Sequence, residues 1–115
     1  MEQVIILSTT TESKKDAEQL AKILLEEKLV ACAQIHGPID SHYRWQGDLT
    51  SSVEFCLEVK TCSSAIERVK EKIIANHPYE LPELAGTVTD LVSEDYRAWV
   101  VEQIVIHKDQ QSDNS

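Results

Sequence analysis

Ile39-Asp40-Ser41-His42-Tyr43-Arg44-Trp45-Gln46-Gly47-Asp48, continued by Leu49-Thr50-Ser51-Ser52-Val53-Glu54-Phe55-Cys56-Leu57-Glu58-Val59-Lys60, reads as a β-hairpin. On the first arm Ile39, Ser41, Tyr43 and Trp45 alternate with Asp40, His42, Arg44 and Gln46. On the return arm Val53, Phe55, Leu57 and Val59 share one face, and Glu54, Cys56, Glu58 and Lys60 share the other. A period of two places one set of side chains on a buried face of a strand. Gln46-Gly47-Asp48 supplies the turn between the arms. Just upstream, a strand beginning at Leu29 meets His36-Gly37-Pro38. Proline cannot donate to a ladder, so the chain is expected to bend or bulge there before it resumes in extended form.

Helical periodicity flanks this hairpin on both sides. Val4 to Leu7 is a short buried strand, and the polar run Ser8 to Ser13 predicts its end and a helix cap near Ser13. Ala17, Leu20, Ala21, Leu24 and Leu25 then follow the spacing of a helix packed on a sheet, ending near Lys28. A second helix follows Thr61-Cys62-Ser63-Ser64, with Ser64 and Glu67 at capping-box spacing and Ile66, Val69, Ile73 and Ile74 on its inner face. It must stop by Asn76, because Pro78 restricts the backbone of His77. A rigid loop from His77 to Pro82 leads to a weaker strand around Leu84 to Leu91. A third helix begins at the cap Ser93, with Tyr96, Trp99, Val100 and Ile104 on one stripe.

An offset of 49 residues lays Val4 on Val53, Ile6 on Phe55, Ala17 on Ile66, Leu20 on Val69 and Leu24 on Ile73. Each half is a strand, a Ser/Thr-rich cap, a helix and a strand. Two such units joined by the hairpin give an α+β fold, the ferredoxin-like βαββαβ antiparallel sheet, with an additional C-terminal helix. Residues 1–107 are expected to form this single domain, and 108–115 a polar, disordered tail. Such a sheet leaves one face uncovered, and Tyr43 and Trp45 sit on a long hairpin arm, so a homo-oligomer assembled through sheet edges and the 39–60 hairpin is expected.

Composition narrows the partners. The chain of 115 residues carries 11 basic and 20 acidic residues, a net charge of −9, which repels phosphate backbones and anionic membrane surfaces. Neither nucleic acid nor membrane is expected as a partner. No apolar run approaches the roughly 20 residues of a membrane helix, and the N-terminal stretch lacks the basic residues of a signal peptide. Cys32, Cys56 and Cys62 are an odd set with no Cys-x-x-Cys pair, as reduced thiols would be. A cytoplasmic location is the expectation. No Gly-rich phosphate cradle, Gly-x-Ser-x-Gly elbow, oriented Cys/His pair or paired-acid motif is present, so no enzyme is expected.

Several residues form an ordered series: Lys28 to Ile35 as Lys-Leu-Val-Ala-Cys-Ala-Gln-Ile, Ser41-x-Tyr43-x-Trp45-x-Gly47, Glu54, Lys60-Thr61, His77-Pro78-Tyr79-Glu80-x-Pro82 and Tyr96-x-x-Trp99. From about residue 4 to 104 the series resembles the CutA divalent-cation tolerance proteins. The resemblance implies a PII-like homotrimer in the cytoplasm and a role in tolerance of copper and other divalent metal ions. Ser41, Tyr43, Trp45, Glu54, Lys60, Tyr79, Tyr96 and Trp99 are the expected cleft or interface set: Glu54 and Lys60, on one face of the return strand with Glu58, read either as a solvated ladder or as the lining of a polar cleft between subunits, and Tyr79, Tyr96 and Trp99 read as anchors of the loop and last helix against a neighbouring surface. Some members carry a cysteine near the end of the first strand and a histidine just before the His-Pro-Tyr motif. Here Ser8 and Asn76 stand at those places, and hydroxyl and amide are poor ligands for copper.

The remaining candidate metal ligands are His77 and Cys32. His77 reads either as a loop histidine packed or hydrogen-bonded beside Pro78, or as a ligand at an inter-subunit cleft. Cys32 reads either as a small core residue or as a thiolate ligand. His36, His42 and His107 form no local pair that would converge on one ion. No cofactor is required, and copper or another divalent ion would bind weakly. The alternative is a PII-like signalling or scaffold trimer with a small ligand or protein partner in inter-subunit clefts, a reading that rests on fold analogy.

Overall fold

β1 (Val4–Thr11) is longer than its apolar stretch. Thr9, Thr10 and Thr11 continue the ladder opposite Leu57, Cys56 and Phe55 of β3 (Asp48–Cys62) and are buried. Threonine is β-branched and suits a strand, so the polar run that sequence reading took for its end extends it instead. The computed structural model describes residues 1–104, and His107 and the 108–115 tail lie outside them. α1 (Lys14–Glu26), β2 (Cys32–Trp45), α2 (Ile66–Asn76), β4 (Ala85–Val88) and α3 (Glu94–Glu102) complete the described chain. The sheet order is β2-β3-β1-β4 with every neighbour antiparallel, which makes the βαββαβ arrangement ferredoxin-like, with α3 appended.

Helix ends follow local chemistry. Ser13 caps α1 by accepting from the Asp16 N–H, and Ser93 caps α3 by accepting from the Tyr96 N–H. α1 ends with Lys28 at φ 55°, where the Lys28 N–H donates to the Leu25 carbonyl and the Leu29 N–H to the Leu24 carbonyl, the paired bonds of a Schellman motif. Ser64 does not cap α2. The cap position is Ala65, without a side-chain bond, because an extra turn through residues 63–65 precedes the helix. The Glu2 carboxylate accepts from the Ser63 hydroxyl and the Ser64 N–H instead.

The core lies between the helices and the sheet face that carries Leu7, Leu57 and Val59. Leu20 and Leu24 of α1, Val69 and Ile73 of α2, and Val100 of α3 complete it. Leu25 and Ile74, placed inward by helical spacing, are exposed, since Leu24 and Ile73 already fill the inward stripe. Cys32 is not in this core. It stands opposite Lys60, and Lys60 bonds Gln34 and Glu58, so Cys32 belongs to the polar face turned away from the helices.

Beyond the core the hairpin leaves the sheet. β1 pairs with β3 only as far as Phe55, whereas β2 follows β3 on to the Trp45–Asp48 pair. Residues 48–54 of β3 and their β2 partners therefore form a free two-stranded ribbon about 24 Å long at ~3.4 Å per residue. Its turn is tight, with positive φ at Gln46 and Gly47. The predicted interruption at His36-Gly37-Pro38 is a bulge within one continuous strand, where the register shifts between His36 and Ile39. Gly37 lies at φ 150° with Phe55 close against it, a place with no room for a side chain. Val53, expected on the buried face, is exposed because neither β1 nor a helix reaches it.

Candidate functional site

The site is built where the 77–84 loop folds back over the root of the ribbon. Pro78 disfavours helix at His77, which is extended at φ −79°, ψ 138° and turns its ring toward β1. His77 Nδ1 accepts from the Tyr79 N–H at 3.0 Å, and Nε2 lies 3.0 Å from the Thr10 carbonyl oxygen and 3.0 Å from Thr9 Oγ1. A carbonyl oxygen only accepts, so Nε2 carries the proton and the ring is the neutral tautomer. Burial holds the His77 pKa below its ordinary value, while the Thr10 carbonyl, Asp16 and Glu54 act in the opposite direction. Both ring nitrogens are engaged within the chain, the hydrogen-bonded reading of this histidine.

The loop then carries Tyr79 onto the ribbon. Its ring lies 5.0 Å from that of His77, tilted by 55°, and its hydroxyl donates to Glu54 Oε2 at 2.8 Å. Burial and this bond to a carboxylate push the phenol well above its usual range. Glu54 is only 7% exposed although it sits on the polar face of the strand, because the loop covers it. A cleft of about 550 Å³ opens beside this pair. Of the residues expected from the sequence, Ser41, Tyr43, Trp45, Glu54 and Tyr79 line it.

Thr10, His42, Glu80, Leu81 and Glu83 also line the cleft. Sequence reasoning left Thr10, Glu80 and Glu83 out of the site. Glu80 lies inside the His-Pro-Tyr-Glu motif, which was a usable signal, whereas Glu83 enters only because the loop reverses. Other expected site residues lie elsewhere. Lys60 bridges Gln34 and Glu58 on the sheet, the latter at 3.5 Å, and Cys32 stands across from it. Tyr96 and Trp99 stack on each other at 5.8 Å on α3, both partly exposed. Ser8 faces Glu58 across the ladder, and Asn76 donates to the Lys72 carbonyl of its own helix at 2.8 Å. Among the described residues no three His, Cys, Asp or Glu side chains are placed to hold one metal ion.

The sequence model of the family described as CutA1 divalent ion tolerance protein matches residues 5–103. The chain belongs to that family. The divalent-cation tolerance protein CutA of Thermus thermophilus is 37% identical over 102 residues, covering 89% of this chain and 97% of that protein. The crystal structure of CutA1 from Ehrlichia chaffeensis superposes with a TM-score of 0.85 at 32% identity, over 90% of this chain and 96% of that one. The CutA structure from Archaeoglobus fulgidus, described as periplasmic, gives 0.83 at 32% identity over 91% and 100%. CutA proteins are named for tolerance of divalent cations and not for a reaction. The signalling or scaffold alternative draws no support from these relatives. No described helix of this CutA chain is long and apolar enough to cross a membrane.

Proposed function

We propose that this CutA chain works without catalysis, as a homotrimer that takes up divalent cations, copper among them, at acidic clefts on its subunit boundaries. The observation that carries the reading is the ribbon. An isolated two-stranded hairpin is marginal in water, yet this one projects with Tyr43, Trp45, Leu49 and Val53 all exposed. A neighbouring copy would cover these side chains, and three copies is the number that the family resemblance implies.

The cation reading rests on charge and on incompleteness. The net charge of −9 concentrates cations at the surface. Glu54, Glu80, Glu83 and His42 line the same cleft, and among the described residues no three such side chains are placed to hold one ion, so in this reading a neighbouring subunit completes the ligand set. His77 could ligate only by giving up a hydrogen bond at one ring nitrogen, and Cys32 only from the polar sheet face. Native mass spectrometry with limiting Cu(II) tests the proposal. A trimer holding a whole number of copper ions supports it, and a trimer that stays bare until copper is in excess counts against the metal reading. The cytoplasm is the proposed location, in keeping with three free cysteines, and cell fractionation decides it.

A further inference from the structure

We infer that Cys56 and His36, paired across β2 and β3, hold one Cu(I) ion within a single chain. His36 stands directly opposite Cys56 in the register, so both side chains leave the same face of the sheet, with Cβ atoms about 4.5–5.5 Å apart. That is close enough for a thiolate sulfur and a ring nitrogen to meet on one ion. On its other side Cys56 pairs with Thr10 of β1. The pair therefore belongs to the sheet itself and not to the free ribbon of residues 48–54, and neither residue lines the divalent-cation cleft.

Both groups are unengaged: among the described residues neither the His36 ring nor the Cys56 thiol makes a hydrogen bond. His36 is exposed and Cys56 partly so. The alternatives differ on these points. Cys62 is fully buried with its sulfur 3.6 Å from the Ser64 hydroxyl, and Cys32 stands opposite Lys60, whose charge repels a cation. His77 has both ring nitrogens engaged. Charge also favours Cys56. Burial, followed by Glu83 and Glu58, raises its thiol above the ordinary pKa, and the same two carboxylates favour a cation that takes the place of the thiol proton. An S–Cu bond then replaces the S–H bond and the proton passes to solvent, with no change in oxidation state.

The donor set selects the ion. Thiolate and imidazole suit soft and borderline ions, whereas Mg2+ and Ca2+ take oxygen ligands. Zinc requires four ligands, and among the described residues no three His, Cys, Asp or Glu side chains are placed to hold one ion. Cu(I) is soft and is held linearly by two ligands, so the pair is complete in one chain and leaves no position for a neighbouring copy to fill. Free thiols and Cu(I) belong to the same reducing surroundings.

Anaerobic competition for Cu(I) between the full chain and bicinchoninate, read by the colour of the chelator complex, tests the inference. One Cu(I) per chain is expected, with affinity lowered roughly 10-fold or more in Cys56→Ser and in His36→Gln and unchanged in Cys32→Ser. Thermal unfolding of each variant, measured in parallel, separates loss of a ligand from loss of the fold. Affinity unaltered in Cys56→Ser or in His36→Gln, or lowered as much in Cys32→Ser, overturns the inference, as does displacement of the ion by an equimolar amount of Zn2+. The divalent-cation reading stands or falls separately, because no cleft residue is substituted. A trimer that takes up Cu(II) but binds no Cu(I) at the pair overturns this inference alone.

Discussion

Gly86→Ala should unseat β4. Gly86 pairs with Leu7 across the β1–β4 ladder, and a Cβ built on it would press on the Ile6 carbonyl oxygen and stand 3.0 Å from Leu7 Cα. Carbon atoms in contact sit at about 3.5–4.0 Å, so the strands would have to part by roughly 0.5–1 Å. The obstacle is backbone, which has no rotamer to change. Overpacking of this kind costs about 1–3 kcal/mol, and for a domain near this size each kcal/mol lowers Tm by roughly 4–8 °C. Differential scanning calorimetry at fixed subunit concentration should therefore show a fall of about 4–24 °C. Gly47→Ala is the matched control. The added Cβ there meets nothing within 4 Å, and only the turn's φ of 87° is strained, so a loss of roughly 1 kcal/mol is expected. A Gly86→Ala protein as stable as the parent, or less affected than Gly47→Ala, would refute the reasoning that close approach of β4 to β1 demands glycine.

Three further outcomes are expected. Tyr79→Phe removes the donor to Glu54 and leaves a buried carboxylate short of a bond, so the urea midpoint should fall by the equivalent of about 1–3 kcal/mol; no change would mean that water replaces the hydroxyl. His77 has a pKa below its unfolded value, so the unfolded chain binds the proton first and the stability due to the neutral ring is lost as pH falls below about 6.5. The midpoint difference between the parent and His77→Gln should accordingly shrink between pH 7.5 and pH 5, and a constant difference would contradict the neutral, hydrogen-bonded ring. Ser13→Ala should cost about 1 kcal/mol by loss of a cap bond, whereas Ser64→Ala, which caps nothing, should stay within about 0.5 kcal/mol; equal losses in thermal unfolding would contradict the cap assignment.

The fold was legible where periodicity is local. Leu20, Leu24, Val69 and Ile73 mark the buried stripes of two helices, Leu57 and Val59 mark the buried face of the return strand, and all six lie in the core. Reading failed where tertiary contact overrides local signal. Thr9 to Thr11 look like a strand end and are instead held in the ladder by β3, and Ser64 has capping-box spacing but is drawn into a turn that Glu2 completes. Val53 obeys the alternation of its strand yet is exposed, because alternation says which face a residue takes and not whether anything covers that face. The site was half legible for the same reason. Ser41, Tyr43, Trp45, Glu54 and Tyr79 belong to the family series, but no local pattern reveals that Tyr79 reaches back 25 positions to Glu54, or that loop reversal adds Glu83.

The exposed ribbon requires cover by neighbouring copies of the chain. The most direct test is the solution mass of the untagged protein, by light scattering or sedimentation, from micromolar concentration downward. A single species of three times 13.0 kDa that persists on dilution is expected, and one of 13.0 kDa at micromolar concentration would contradict cover of the ribbon by neighbouring copies.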